Sequence, residues 1–83
     1  MNPYTRAHVR FLTNEEATRF VAELNSDGTA AHYTLENFNG SSRVNARSLI
    51  GVIYAMTEHG EEIYLVNDTD DGNFPASIDK YRV

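Results

Sequence analysis

The apolar and polar residues of this chain follow two different periods, one that predicts strands and one that predicts helices. Alternation over residues 4–12 places Val9 and Phe11 on one side of the backbone, with His8 and Arg10 on the other. A period of two residues is typical of a strand with one buried face. The segment is therefore predicted to be the first strand.

A helix is predicted directly after this strand. Residues 13–16 read Thr-Asn-Glu-Glu. This sequence has the form of a capping box, in which Thr13 caps the first turn and the side chain of Glu16 reaches back towards Thr13. The apolar residues that follow recur at helical spacing: Ala17, Phe20, Val21 and Leu24. The polar and glycine-containing residues 25–28 predict the end of the helix.

Two strands and a turn are predicted in the middle of the chain. Residues 32–38 and 41–45 are the predicted second and third strands. Between them, Asn39 and Gly40 form a dipeptide that favours a tight two-residue hairpin turn.

A second helix is predicted to open at Ser48. Serine is a good N-cap residue, because its hydroxyl can accept a hydrogen bond from a free amide of the first turn. The apolar residues after it are Leu49, Ile50, Val52 and Ile53. The helix is predicted to run to about Thr57, with His59 and Gly60 as its stop.

The last part of the chain predicts one more strand and a short helix. Residues 61–67 form the fourth strand, with Ile63 and Leu65 on one face, and an acidic turn follows at residues 68–72. Residues 73–81 predict about two helical turns, with Pro75 in the first turn. The order β-α-β-β-α-β with a shortened third helix describes a single α+β domain over residues 1–83.

Composition and charge limit the classes of partner that we expect. The net charge is −5, with 12 acidic residues against seven lysines and arginines. Such a chain would be repelled by the phosphate backbone, so nucleic acid is not expected as a partner. Five of the seven lysines and arginines lie in the first 48 residues, and a local cationic zone is predicted around Arg43 and Arg47.

The sequence predicts a soluble cytoplasmic protein. The first residues are polar and lack the apolar core of a secretory signal. No apolar run approaches the roughly 18 residues that span a membrane. The absence of cysteine excludes disulfides and thiolate metal sites.

Residues 44–52 read Val-Asn-Ala-Arg-Ser-Leu-Ile-Gly-Val. This segment resembles the regulatory-serine region of HPr, the histidine-containing phosphocarrier family of the bacterial sugar phosphotransferase system. The resemblance implies an HPr-like open-faced sandwich, a four-stranded antiparallel sheet with helices on one face. It also implies that an HPr-type kinase phosphorylates Ser48 and that the chain then docks a transcriptional or metabolic regulator. The implied partner-binding residues are Arg43, Arg47, Leu49, Ile50 and Ile53.

The family's phosphohistidine motif, Gly-x-His-Ala-Arg-Pro, is missing. Two alignments of the first helix are open, and they place Thr13 or Ala17 at the histidine position. Neither side chain can form the labile phosphoramidate that a carrier needs. The chain is therefore most similar to the catabolite-repression homologues of the family, and it is not expected to be an enzyme.

Two other functions remain open at this point. A divergent phosphocarrier would use His8 or His32, which are predicted on or beside strands; His59 is predicted in the turn after the second helix. An unphosphorylated interaction domain would form a homodimer through a face that the short C-terminal helix leaves under-covered.

No metal or cofactor is expected. The acidic residues 68–72 resemble a calcium loop only in part, because the glycine and the final ligand position fall out of register. The three histidines match no zinc motif, and the spacing of the chain predicts no catalytic triad.

Overall fold

The computed structural model describes residues 5–26, 32–60, 62–67 and 74–83. Its elements are β1 (Thr5–Val9), α1 (Asn14–Ser26), β2 (Tyr33–Glu36), β3 (Arg43–Asn45), α2 (Leu49–His59), β4 (Ile63–Asn67) and a C-terminal 3-10 helix (Ala76–Tyr81). The order of strands and helices is the predicted one. Neither α-helix in the described part of the chain has the length and apolarity that crossing a membrane requires.

The four strands form one antiparallel sheet in the order β1-β4-β2-β3. Leu65 in the central strand β4 stands opposite Ala7 of β1 on one side and Leu35 of β2 on the other. Leu35 in turn stands opposite Val44 of the edge strand β3. The α+β class and the open four-stranded antiparallel sheet predicted from the sequence are confirmed.

The core lies between one face of the sheet and the helices. Alternate strand residues and one side of each helix form a single buried cluster: Val9, Leu35, Ile63, Leu65, Phe20, Leu24, Val52, Ala55 and Ile78 among others. The predicted helix face of α1 is buried in full: Ala17, Phe20, Val21 and Leu24. Burying these apolar side chains provides the main driving force for folding.

The other face of the sheet carries polar and aromatic side chains. Arg6 extends from β1 across β4, where its guanidinium lies 3.9 Å from the ring centre of Tyr64. Its Nε then donates to the Glu36 carboxylate of β2 at 2.9 Å. Arg43 of β3 reaches the same carboxylate from the other side, with Nε 3.1 Å from Oε2. The two arginines thus join three strands through one carboxylate.

The hairpin between β2 and β3 differs from the predicted two-residue turn. Asn37 and Ser42 are the last hydrogen-bonded pair, and the amide of Gly40 donates to the carbonyl of Asn37 at 3.1 Å. A two-residue type I′ turn needs positive φ at both central residues. Among the described residues only glycines have positive φ, with Gly40 at 76°. Asn39 therefore lies in a four-residue loop.

The strands are also shorter than predicted, and the last element is a different kind of helix. The backbone leaves the β1–β4 ladder after Val9, and the amide of Arg10 donates to the carbonyl of Tyr81 instead. The C-terminal segment forms a 3-10 helix rather than two α-helical turns, and Pro75 precedes it as the N-cap residue. Ile78 and Tyr81 of this segment are both buried.

Candidate functional site

The start of α2 holds the serine that the sequence singles out. Ser48 has extended backbone geometry, with φ −102° and ψ 121°, and its hydroxyl accepts a hydrogen bond from the amide of Gly51 at 3.3 Å. Its carbonyl accepts from Val52 at 2.9 Å, which begins the helical ladder. The predicted role of Ser48 as N-cap is confirmed.

The turn before Ser48 is closed by Asn45. The Asn45 Oδ1 atom accepts from the Arg47 amide at 2.9 Å, and the Asn45 carbonyl accepts from the Ser48 amide at 3.1 Å. An asparagine side chain that bonds the backbone two residues ahead makes an Asx turn. The Asn45 turn therefore aims the chain from the edge strand into α2 and orients Ser48.

Gly51 lets the first turn of α2 approach this bend closely. A Cβ atom at Gly51 would lie 3.0 Å from the Asn45 carbonyl oxygen and 3.3 Å from the Cβ of Val44. No side chain fits there without a shift of the strand or of the helix. The position three residues after Ser48 is therefore held by glycine for reasons of space.

One side of α2 is exposed although it is apolar. Ile50 is 82% exposed and Tyr54 48% exposed, and Leu49 is 37% exposed. Ile53 is half-buried, whereas Val52 is completely buried. Leu49 is much less exposed than Ile50 and lies at the border of the exposed face. The first turn of the helix also carries no acidic residue.

Arg43 is engaged by the sheet. Besides its ion pair with Glu36, its Nη2 atom lies 3.4 Å from the hydroxyl oxygen of Thr34. Its side chain remains 44% exposed. Part of the guanidinium therefore faces outwards, and the binding role predicted for Arg43 stays a prediction.

Arg47 is directed towards the end of α1. Its Nη1 atom donates to the carbonyl oxygen of Leu24 at 2.6 Å, and its guanidinium carbon lies 5.2 Å from the ring centre of Tyr33. The side-chain amide of Asn25 donates in turn to the Arg47 carbonyl at 3.2 Å. The residue before Ser48 thus joins the two helices.

The start of α1 is closed by its own side chains. The Thr13 hydroxyl accepts from the Glu16 amide at 3.1 Å, and a carboxylate oxygen of Glu16 accepts from the Leu12 amide at 2.9 Å. Glu16 bonds one residue further back than a standard capping box does. Its negative charge lies at the end of the helix that would attract an anion.

The three histidines lie on the open face of the sheet, before β2 and at the end of α2. His8 stacks on Tyr64 on the open face of the sheet, with ring centres 4.8 Å apart. His32 is exposed just before β2. His59 is the last residue of α2 rather than part of the following turn, and its Nε2 atom lies 3.2 Å from the Ser42 hydroxyl.

An open cleft of about 390 Å³ lies beside His59. Residues of the β2–β3 loop and of the end of α2 line it: Asn37, Phe38, Asn39, Glu58, His59 and Glu62. Within the described segments, no three histidine or carboxylate side chains are placed to hold a metal ion. The acidic turn at residues 68–72 lies outside the described residues.

Two contacts at these sites were missed by the sequence reasoning. The Arg47–Leu24 contact joins residues 23 apart, and the Ser42–His59 contact joins residues 17 apart. Neither spacing belongs to a local motif, so the sequence carries no signal for them. The Ser48 cap, by contrast, involves residues three apart and has a recognisable pattern.

Comparison of the chain with protein-family models, with curated proteins and with solved structures finds no match.

Proposed function

We propose that this chain is a non-catalytic, cytoplasmic binding module of the HPr-like kind, regulated by phosphorylation of Ser48. The observation that carries the proposal is the start of α2. There a serine hydroxyl caps a helix whose first turn has no acidic residue and whose next two side chains are exposed and apolar. A phosphate at this position would meet backbone amides and the positive end of the helix dipole.

The exposed side of α2 is the proposed docking surface for the kinase and for a regulator. Ile50 and Tyr54 give it apolar area that no described element covers, and such area favours a protein partner. Phosphorylation would add close to two negative charges at one end of this surface. The same partner surface would then present a different charge before and after modification.

The proposed reaction moves the γ-phosphoryl group of ATP to Ser48. A bond forms between the Ser48 Oγ atom and phosphorus, the bond to the leaving ADP breaks, and the hydroxyl proton passes to a base of the kinase. This chain supplies the acceptor hydroxyl and the docking surface. All other groups belong to the kinase.

The test is intact mass after incubation with an HPr-type kinase and ATP. We expect one phosphate on the wild-type chain and none on Ser48→Ala, while Thr13→Ala, which removes the cap of the other helix, still takes one. Absence of phosphate on the wild type, or its persistence in Ser48→Ala, would overturn the proposal. Incubation with phosphoenolpyruvate and its phosphotransferase enzyme should add no phosphate to any histidine.

Docking through α2 has its own test. We expect Ile50→Gln to lower kcat/KM of the kinase about tenfold, because one exposed apolar contact is lost from the interface. Leu12→Gln is the matched control, since Leu12 is 66% exposed but precedes α1. Equal rates for Ile50→Gln and wild type would exclude this surface.

A further inference from the structure

Arg47 connects the proposed phosphorylation site to the other helix. Its backbone carries the turn that presents Ser48, through the bond from its amide to Asn45. Its side chain donates to the carbonyl of Leu24 at 2.6 Å, in the last turn of α1. Asn25 closes the connection with its bond to the Arg47 carbonyl. One residue is therefore shared by the start of α2 and the end of α1.

Arg47 places a cation against the carbonyl end of α1. The last carbonyls of a helix lack intrahelical partners and carry partial negative charge, which a basic side chain satisfies. The last turn of α1 contains no basic residue of its own. Arg47 supplies the missing donor from a separate segment of the chain, beside the completely buried side chain of Leu24.

We propose that a phosphate on Ser48 withdraws Arg47 from Leu24 and so loosens the last turn of α1. The inference rests on the proposed function, because it takes Ser48 as the phosphorylated residue. A phosphate offers three strong acceptor oxygens and nearly two negative charges, whereas the Leu24 carbonyl is neutral. A guanidinium and a phosphate are both charged and can form two parallel hydrogen bonds, whereas the bond to the Leu24 carbonyl has one charged partner. The adjacent phosphate therefore wins the competition.

This coupling would carry the modification to a second surface. Leu24 and Asn25 lie in the last turn of α1, where both contact Arg47 directly. A partner that contacts the end of α1 would sense the phosphate without touching it. Because coupling free energies are reciprocal, a partner that stabilises the Arg47–Leu24 contact would in turn disfavour the arrangement that the phosphate promotes.

The test places phosphoserine at position 48 by chemical or genetically encoded synthesis of the full chain. Amide hydrogen exchange at residues 23–26 should become about fivefold faster than in the unmodified chain, as expected when one hydrogen bond is lost. Residues 17–20 of the same helix should be unchanged. The Arg47 guanidinium resonances should shift at the same time.

Two variants sharpen the result. Arg47→Gln should exchange quickly at residues 23–26 without phosphate and should show no further change with it. Arg43→Gln, which removes the other arginine of this region, should keep the full effect of the phosphate. Unchanged exchange in the phosphorylated wild type would overturn the proposal, as would an undiminished effect in Arg47→Gln.

The resonances of Arg47 in the wild-type chain decide the question even if Arg47→Gln folds poorly. If they stay in place on phosphorylation, the guanidinium has kept its contact with Leu24 and the proposal is wrong. Synthesis bypasses the kinase, so refusal by the kinase would overturn the proposed function alone and would leave this result standing.

Discussion

Helix α1 and helix α2 both begin after a hydroxyl side chain, but their third residues differ: Glu16 in α1 and Gly51 in α2. Glu16 returns to bond the Leu12 amide, so the start of α1 carries its own negative charge. At position 51 a side chain would press against the Asn45 carbonyl, and the residue there is glycine. At α2 the Ser48 hydroxyl accepts from the Gly51 amide, and the first turn holds no acidic residue. Close packing against a strand therefore leaves one helix start without a carboxylate, whereas the other start has one.

The largest expected effect comes from giving α2 the third residue of α1. By sequence rules, Gly51→Glu should stabilise the chain, since it replaces a helix-interior glycine and completes a capping box. We expect it to lower the free energy of unfolding by about 2 kcal/mol, because overpacking against the backbone outweighs both gains. Urea unfolding measures the change.

Gly51→Ala is the control for this substitution, and it should cost less because it adds only the Cβ atom. A variant Gly51→Glu that is more stable than the wild type would contradict the explanation from space. In that case the glycine would have to be present for the sake of a ligand or a partner.

A second prediction concerns the loss of stability in acid. The Glu23 carboxylate joins the second half of α1 to the C-terminal 3-10 helix. Glu23 accepts from Lys80 and from the Tyr81 hydroxyl, each at 2.8 Å. These two hydrogen bonds, with a smaller contribution from Arg19, hold the pKa of Glu23 below its ordinary value. Burial and the bond to Glu23 raise the pKa of Tyr81 to about 12.

The directions of these two pKa shifts determine how the free energy of unfolding changes with pH. Ionised Glu23 stabilises the fold above its unfolded pKa of about 4.3, and this stability is lost as pH falls through the lower folded pKa. Neutral Tyr81 stabilises it below about pH 10, and that stability is lost as pH rises through about 12. The start of α2 uses a neutral hydroxyl and should be insensitive to both changes.

We expect Glu23→Gln to lower the free energy of unfolding by about 1.5 kcal/mol at neutral pH and to flatten its fall in acid. Glu58→Gln, an exposed acid on α2, is the matched control and should leave the acid profile unchanged. Urea unfolding between about pH 3 and pH 7 gives both results, in the range where the linkage acts. If Glu23→Gln loses stability in acid as steeply as the wild type does, other carboxylates dominate the loss of stability at low pH.

The smallest expected effects come from removing the two caps. Thr13→Ala should cost about 1 kcal/mol, because it also releases Glu16 from its position. Ser48→Ala should cost about 0.5 kcal/mol, since its bond to Gly51 at 3.3 Å is the longer of the two. Thr13→Ser and Ser48→Thr, which keep the hydroxyls, should be near wild type in urea. A larger loss of stability for Ser48→Ala than for Thr13→Ala would contradict this prediction.

Much of the fold could be predicted because the signals are local. The buried face of α1 follows from apolar residues three and four apart, and both caps involve residues three apart. The hairpin turn was predicted wrongly because Asn-Gly fits a two-residue loop, whereas the last strand pair is Asn37 and Ser42. The turn residues did not show where strand pairing stops.

The candidate site was predictable in part, for the same reason. Ser48 is visible in the sequence as a hydroxyl residue before an apolar run. The sequence shows the two arginines of the predicted cationic zone but not their partners. Arg43 is paired by the neighbouring strand and Arg47 by the end of α1. Whether an arginine is available to a ligand depends on what the fold places beside it.

The sequence by itself determined the order of the elements, the α+β class and the positions of the two helix starts. These features depend on hydrogen bonds and apolar contacts between residues a few positions apart, and each segment carries that information within itself. Only the tertiary structure decided that the Asn45 carbonyl and the Val44 side chain crowd the position that a side chain at residue 51 would occupy. It also decided that Arg47 joins the helices, because contacts over 23 residues exist only once the core has brought the segments together.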